Sequence, residues 1–380
     1  MHLYWPQQAP ASPPMPQADT GEAPTPPTTV LVTGAAGFAA GHIIEELLHH
    51  GYAVRGTIRE TTPEGRTAHL RTIAARHPGR LHLVHAQLDS DKGWADAVAG
   101  CAYVIHVASP SSAGAAQEEL CVIRTAVEGT LRVLQAAAHS GTVCRVVTTS
   151  CSAAAAAGHV RSANSPCTEK DWALIEGRST FEKSKTLAEQ AAWQFIHTLP
   201  EGHRMEMVTL NPGHILGPLQ NPYVNASMRT VQRLLDGSMR AVPNLSFNVT
   251  DVRDLAVAHR LALEKRVASG NRYLCAGPAT WLPDMAELLA AHFGPQGARV
   301  PLRRRSNLSM WLLSRSDPTL RPVLPDLGRQ VHLSSQKATA ELGLHLRPIA
   351  STLHDSAQSL IDHDVIHAEQ QKSRAKRACD

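Results

Sequence analysis

The chain has 380 residues, 43% of them hydrophobic and 18% charged, which is enough apolar material for a sizeable core and too little charge for a disordered polyelectrolyte. Aromatic residues make up only 4%, which argues against a stacking platform for single-stranded nucleic acid. A formal net charge of +4 falls short of the concentrated basic footprint of a DNA-binding domain, so no nucleic-acid partner is expected.

Residues 1–28 hold eight prolines among Ala, Gln, Ser and Thr, with no apolar periodicity. Such a segment cannot offset its own ordering entropy and is expected to be a disordered leader. Residues 28–34 (TTVLVTG) then read as a short buried strand. Residues 41–51 place Ile43, Ile44, Leu47 and Leu48 on one helical face and stop at Gly51. Further strands are expected at 52–59, 81–86 and 102–109, followed by a long helix in which Leu120, Ile123, Val127, Leu131 and Leu134 recur at intervals of three or four. A strand at 143–150, a helix at 181–197 and a strand at 205–212 continue the series. Beyond residue 215 the pattern is less regular, with helices expected at 252–265, 281–293 and 348–363 and a strand at 271–277.

This alternation calls for crossover connections, hence a doubly wound α/β fold with a mostly parallel, Rossmann-type sheet covered by helices on both faces. The expected division is a dinucleotide-binding domain over 29–215, a smaller substrate lobe over 216–366 interleaved with it, and a basic tail over 367–380. The seven cysteines (Cys101, Cys121, Cys144, Cys151, Cys167, Cys275 and Cys379) are odd in number, dispersed and never spaced CxxC. That spacing fits neither a disulfide framework nor a structural zinc site. Among 21 histidines there is no HExxH, and His82 and His85 point to opposite faces of a strand, so no metal is expected. Arg303, Arg304 and Arg305 read as a solvated loop, and the run of alanines at 153–157 as a tightly packed loop. With no apolar run of membrane-spanning length and no signal-peptide pattern, a cytoplasmic protein with no membrane partner is expected.

Residues 33–40 (TGAAGFAA) join the first strand to the first helix. Glycines there allow a tight turn and close approach of the backbone to a pyrophosphate seated on the N–H groups of the helix. With this motif in place, VLVTGAAGFAAGHIIEELLHHGYAVRGTIR resembles the opening of the extended short-chain dehydrogenase/reductases, the group that shares the NAD-dependent epimerase/dehydratase fold. The similarity is to the branch of dihydroflavonol reductases and cinnamoyl-CoA reductases. It continues through AGCAYVIHVASP (99–110), KSKTLAEQAAWQF (183–195), NPGHILGP (211–218), TDVRDLAVAH (250–259) and KATAELGL (337–344).

The resemblance implies a nicotinamide cofactor bound through Thr33, Gly34, Gly37, Phe38 and Ala39, through Val107, Ala108 and Ser109 after the fourth strand, and through Thr149, Lys185, Pro212 and Ile215. Arg59 and Arg66 match basic positions that hold a 2′-phosphate in the family, favouring NADP(H) over NAD(H), although Glu60 follows directly. Where the family has Asp-Leu after the third strand this chain has Gln87 and Leu88, and a glutamine carbonyl can still accept from an exocyclic amine.

The catalytic constellation departs from the family. Its chemistry uses a tyrosine to pass a proton, a lysine four residues later to hold the ribose and lower the tyrosine pKa, and a serine after the fifth strand to orient the carbonyl. Lys185 is present, but the tyrosine position is Phe181 and the serine position is Cys151. No tyrosine occurs between Tyr103 and Tyr223, so no shift of alignment restores one. Ser150, Ser152, Ser184, His214 and Tyr223 are the candidate replacements for the phenol. A nucleophilic Cys151 is an alternative, its thiol pKa lowered by Lys185. The expected function is NADP-dependent reduction of a carbonyl in a small or medium organic substrate, by a monomer or homodimer. Two alternatives stay open: a redox-neutral isomerase, lyase or cyclase on the same scaffold, and an inactive NADP(H)-binding protein.

Overall fold

The computed structural model describes residues 27–110, 119–296 and 298–366. The proline-rich leader up to residue 26, the basic tail from 367 and Cys379 lie outside the described residues. The first half runs β1 (Thr29–Val32), α1 (Phe38–His49), β2 (Ala53–Ile58), α2 (Ala68–Arg76), β3 (Leu81–His85), α3 (Trp94–Val98), β4 (Tyr103–His106), α4 (Glu119–His139) and β5 (Arg145–Thr149). It continues with α5 (Ala153–Ala156), α6 (Thr180–Thr198), β6 (Glu206–Pro212), β7 (His214–Leu216), α7 (Met228–Leu235), β8 (Val242–Pro243) and β9 (Ser246–Asp251). The chain ends with α8 (Val252–Glu264), β10 (Arg272–Cys275), β11 (Ala279–Trp281), α9 (Leu282–Phe293), β12 (Arg304–Arg305), α10 (Asn307–Ser316) and α11 (Ile349–Asp362).

Seven strands form one sheet in the order β10-β6-β5-β4-β1-β2-β3, and every pairing in it is parallel. The central strands are short and carry buried apolar cores (VLV in β1, VV in β5) because a parallel sheet is buried on both faces. One face is covered by α1 and α8, which pack on each other through Ile43, Ile44, Leu47 and Leu255. The other carries α3, α4 and α6 over Val104, Val146 and Met207. A third core, built from α7, α9 and α11 around Leu234, Met285, Phe293 and Leu353, belongs to the lobe that follows β7. The order reverses at β1, so the ends of β1 and β4 open a crevice of the kind that binds dinucleotides.

Two arginines, Arg145 buried and Arg55 half-buried, close helix ends by satisfying the last carbonyls. Arg145 donates to Ala262, Leu263 and Lys265 at the end of α8 while pairing with Glu206, and Arg55 serves the end of α3 in the same way. Three expectations need correction. The alanine run is a one-turn buried helix, α5, rather than a loop, because small side chains let it pack flat against α6. In α4 the inner face is Val122, Ala126, Thr130, Val133 and Ala137. Of the expected stripe only Leu134 lies fully in the core; Ile123, Val127 and Leu131 are half-buried and Leu120 is 70% exposed. Arg304 and Arg305 form the short strand β12 against β8, with Arg304 paired to Glu287.

Candidate active site

Four elements meet at the crevice, and Thr33 joins two of them. Its hydroxyl oxygen accepts the N–H groups of Val107 and Ala108 at 3.0 Å each, which ties the exit of β1 to that of β4. With both acceptor positions used, its own proton goes to His106 Nδ1 at 2.9 Å. His106 therefore carries its proton on Nε2 and donates to Thr130, which in turn donates to the Ala126 carbonyl. Burial, and then Lys185, push the His106 imidazole down to about 3. It is a neutral strut beneath the site.

Gly34 has φ +70°, and a Cβ there would lie 3.1 Å from Ala108 Cα, so only glycine suits the position on either count. Gly37 begins α1 with no side-chain cap and no acidic residue in the first turn. The first N–H groups of α1 are thus left at the crevice with nothing from their own segment to satisfy them, the arrangement that binds a phosphate. Phe38 turns instead into the lobe core, edge-on to His42, and Ala39 packs partly buried on the sheet side.

At the end of β2, Arg59 and Arg66 are exposed and have no ion-pair partner among the described residues. Glu60, which would repel a phosphate, is turned to Lys92. The Arg66 guanidinium lies over the Tyr223 ring, 4.7 Å from its centre, and the Tyr223 hydroxyl rests against Gly65. Gln87 follows β3, its backbone carbonyl accepting from the Trp94 indole, while Leu88 packs against Gly129 of α4. Ser109 is exposed at the crevice. Pro212 is buried at the end of β6 and Ile215 packs on the sheet core.

Helix α6 starts with a capping box, Ser179 and Glu182 satisfying each other's backbone N–H. Phe181 lies in its first turn, 45% exposed, and Lys185 one turn on is only partly exposed. Burial pulls the Lys185 ammonium below the ordinary lysine range, with Cys151 and then Glu189 opposing. No described residue hydrogen-bonds the ammonium. Beside it a cavity of about 20 Å³, room for one water, is lined by His106, Ser109, Thr130, Ser150, Lys185 and Glu189 among others.

The candidate proton donors separate on their partners. Ser150 donates to Glu189 at 2.5 Å and is buried. Ser184 donates to the Phe181 carbonyl. Tyr223 stands with Arg66. His214 is stacked on Phe247 at 4.5 Å, and burial holds it down at about 4. The two serines therefore have their protons engaged, His214 is held neutral with its buried Nε2 unpartnered, and Tyr223 is set apart by its place beside Arg66. Thr149, expected at the cofactor, aims its hydroxyl at His259 Nε2, 2.7 Å away, since His259 Nδ1 donates to the Leu255 carbonyl. Cys151 remains near Lys185, with the Ser152 hydroxyl within reach of its thiol. Burial pushes the Cys151 thiol up, with the Ala153 N–H and Lys185 only partly opposing, so a reactive thiolate is not supported.

Sequence reasoning did not anticipate Glu189. It lies one turn beyond Lys185, 2% exposed, and accepts from Ser150, from Asn211 at 2.8 Å and from Arg272 at 2.6 Å. Asn211 also donates to the Cys151 carbonyl. Arg272 in turn reaches the carbonyls of Glu169 and Asp171 and stacks over Trp172 at 3.8 Å. One carboxylate thereby fixes β5, β6, β10 and α6 in register. A charge four residues after a site lysine, within an otherwise alanine-rich turn, was the available signal.

The NAD dependent epimerase/dehydratase family model matches residues 30–276. Cinnamoyl-CoA reductase CAD2 of Medicago truncatula is 35% identical over 250 residues, 64% of this chain and 75% of that one. Cinnamoyl-CoA reductase 1 of Arabidopsis thaliana is 33% identical over 336 residues, 87% of this chain and 89% of that one. The crystal structure of Gre2 from Candida albicans in complex with NADPH superposes with a TM-score of 0.74 at 24% identity, covering 89% of this chain and 99% of that one.

Proposed function

Since the chain belongs to the NAD-dependent epimerase/dehydratase family and its relatives are reductases, we propose that it is an NADP(H)-dependent oxidoreductase that reduces a carbonyl of a small or medium organic substrate to an alcohol. The observation that carries the reading is the Lys185 ammonium: partly buried, without a hydrogen-bond partner among the described residues and held below its ordinary pKa.

The dinucleotide fits the residues present. The uncapped start of α1 and the glycine turn take the pyrophosphate. Arg59 and Arg66 take a 2′-phosphate, the charge that Glu60 does not oppose once paired with Lys92. Lys185 takes the ribose hydroxyls. When bound, the reduced nicotinamide supplies a hydride to the carbonyl carbon. The protein must then deliver one proton to the carbonyl oxygen, and Phe181 has none to give.

Lys185 fills that role. Its ammonium donates the proton and is left as a neutral amine, which burial already favours. A proton then returns from water through the side of the cleft where Phe181 is exposed. Cys151 and Ser152 orient the oxygen, the thiol as a weak donor and the hydroxyl as a stronger one. Glu189 holds the strand carrying Cys151 against the helix carrying Lys185. The lobe over 216–366 shapes the substrate pocket around α7 and β9.

NADPH consumption across a panel of aldehydes and ketones tests this, with the parent, Phe181→Tyr and Lys185→Met run together. The parent is expected to turn over slowly, Phe181→Tyr to gain about 10² to 10⁴-fold, and Lys185→Met to lose all turnover. If only Phe181→Tyr consumes NADPH, reduction has been removed from this scaffold and the reading fails in favour of a cofactor-binding protein. Product formed without net change in NADPH would replace it with a redox-neutral activity.

A further inference from the structure

Away from the crevice, α9 and α11 bring two imidazoles together. His292 lies in the last turn of α9 and His354 in α11. Their Nε2 atoms are 3.1 Å apart, their ring centres are 4.5 Å apart, and the planes are inclined at 79°. Two rings joined head-on by a single N–H···N bond of that length would have centres roughly 5.4 Å apart. The observed separation requires at least one ring axis to be inclined to the N···N line, which leaves room for an ion shared by the two nitrogens. Two ligands about 2.1 Å from one ion, in cis or tetrahedral positions, stand about 3.0–3.4 Å apart.

The remaining groups favour the same outcome. His354 Nδ1 lies 3.0 Å from Asp355 Oδ1. A carboxylate only accepts, so Nδ1 carries the proton and Nε2 presents a lone pair. Asp355 is itself fixed by Arg253 at 2.7 Å, giving the carboxylate–imidazole pairing that orients metal-binding histidines. The C-terminal end of a helix, where His292 sits, favours positive charge. Both rings also line a cavity of about 260 Å³ whose other lining residues are Leu288, Leu289, Phe293, Ala350 and Leu353. No three His, Cys, Asp or Glu side chains converge among the described residues, so the protein contributes two ligands here.

We propose that His292 and His354 bind one divalent cation of the late d-block, of the Zn²⁺ or Cu²⁺ kind, with water in its remaining coordination positions. The site is independent of the reduction proposed for the crevice. It joins α9 to the helix whose Ser356 and Ser359 accept the N–H groups of Gly217 and Leu219, so occupancy braces the turn that follows β7.

Calorimetric titration of the full chain with Zn²⁺ alone is the test. The parent is expected to take up one equivalent that His292→Ala and His354→Ala each weaken at least about 10-fold, and that Asp355→Asn weakens about 10 to 100-fold. Zn²⁺ should raise the melting temperature of the parent and not of the two alanine variants. Both imidazoles are exposed, and circular dichroism without metal confirms that the variants fold. With Cu²⁺, the electron paramagnetic resonance spectrum of the parent should show two imidazole nitrogens. No uptake by the parent, unchanged uptake by the alanine variants, or a Cu²⁺ spectrum without two nitrogens would each overturn the proposal.

Discussion

Replacing Glu189 with glutamine keeps the shape of the side chain and removes its charge. Three donors converge on the carboxylate: Ser150, Asn211 and Arg272. A glutamine offers one acceptor oxygen, and its N–H₂ faces three groups that all donate to the carboxylate, so at least one buried contact is lost at about 1–3 kcal/mol. Arg272, 7% exposed, also loses the charge that neutralises it. Breaking a buried pair from one side costs about 3–5 kcal/mol. These costs overlap, and the expected total is about 3–5 kcal/mol, or about two to three and a half powers of ten in the folding equilibrium. Urea unfolding at neutral pH of the parent, Glu189→Gln, Arg272→Met and the double variant measures it. The double variant should fall short of the sum of the single losses by about 2 kcal/mol, since removing both partners strands no charge. A glutamine variant within about 1 kcal/mol of the parent, or strictly additive losses, would refute the reasoning.

Gly34→Ala forces a Cβ onto φ +70° and against Ala108; it should lower stability by about 1–2 kcal/mol and weaken NADPH binding at least about 10-fold by fluorescence titration. Arg66→Ala should weaken NADPH about 10-fold or more while leaving NADH unchanged, and Tyr223→Ala should do the same more mildly, because the ring holds the guanidinium flat. Equal effects on both cofactors would remove Arg66 from the 2′-phosphate. His106 and His259 are held by burial at about 3 and about 4, below the ordinary 6.5. The unfolded chain therefore binds more protons in that interval, so their contribution is complete above pH 6.5 and is lost as the pH falls toward 3–4. Urea midpoints should drop between pH 7 and pH 5, and less steeply in His259→Gln; equal slopes would show that His259 is not the group responsible.

Much of the site was legible because its signals are local. The glycine turn, the strand before it and the helix after it lie within twenty residues, and the spacing of Phe181 from Lys185 is one helical turn. The alternation of short apolar runs with amphipathic helices was enough for the parallel sheet, since a chain of that pattern has few other ways to bury both faces of its strands. Periodicity was less reliable on α4, where two stripes compete and the pattern alone could not show which of them meets α6.

What the chain order could not supply is the disposition of each polar hydrogen. In the sequence Ser150 is a candidate donor and Thr149 a cofactor contact, and nothing shows where either hydroxyl is spent. Their partners, Glu189 and His259, are 39 and 110 positions away. Buried hydroxyls are spent on whatever acceptor the fold brings within 3 Å, and that depends on how sheet, helices and lobe close on one another. The sequence by itself thus pointed to the glycine turn and to a phenylalanine one helical turn before Lys185. Only the tertiary structure decided that those hydroxyls are taken while the Lys185 ammonium has no hydrogen-bond partner among the described residues.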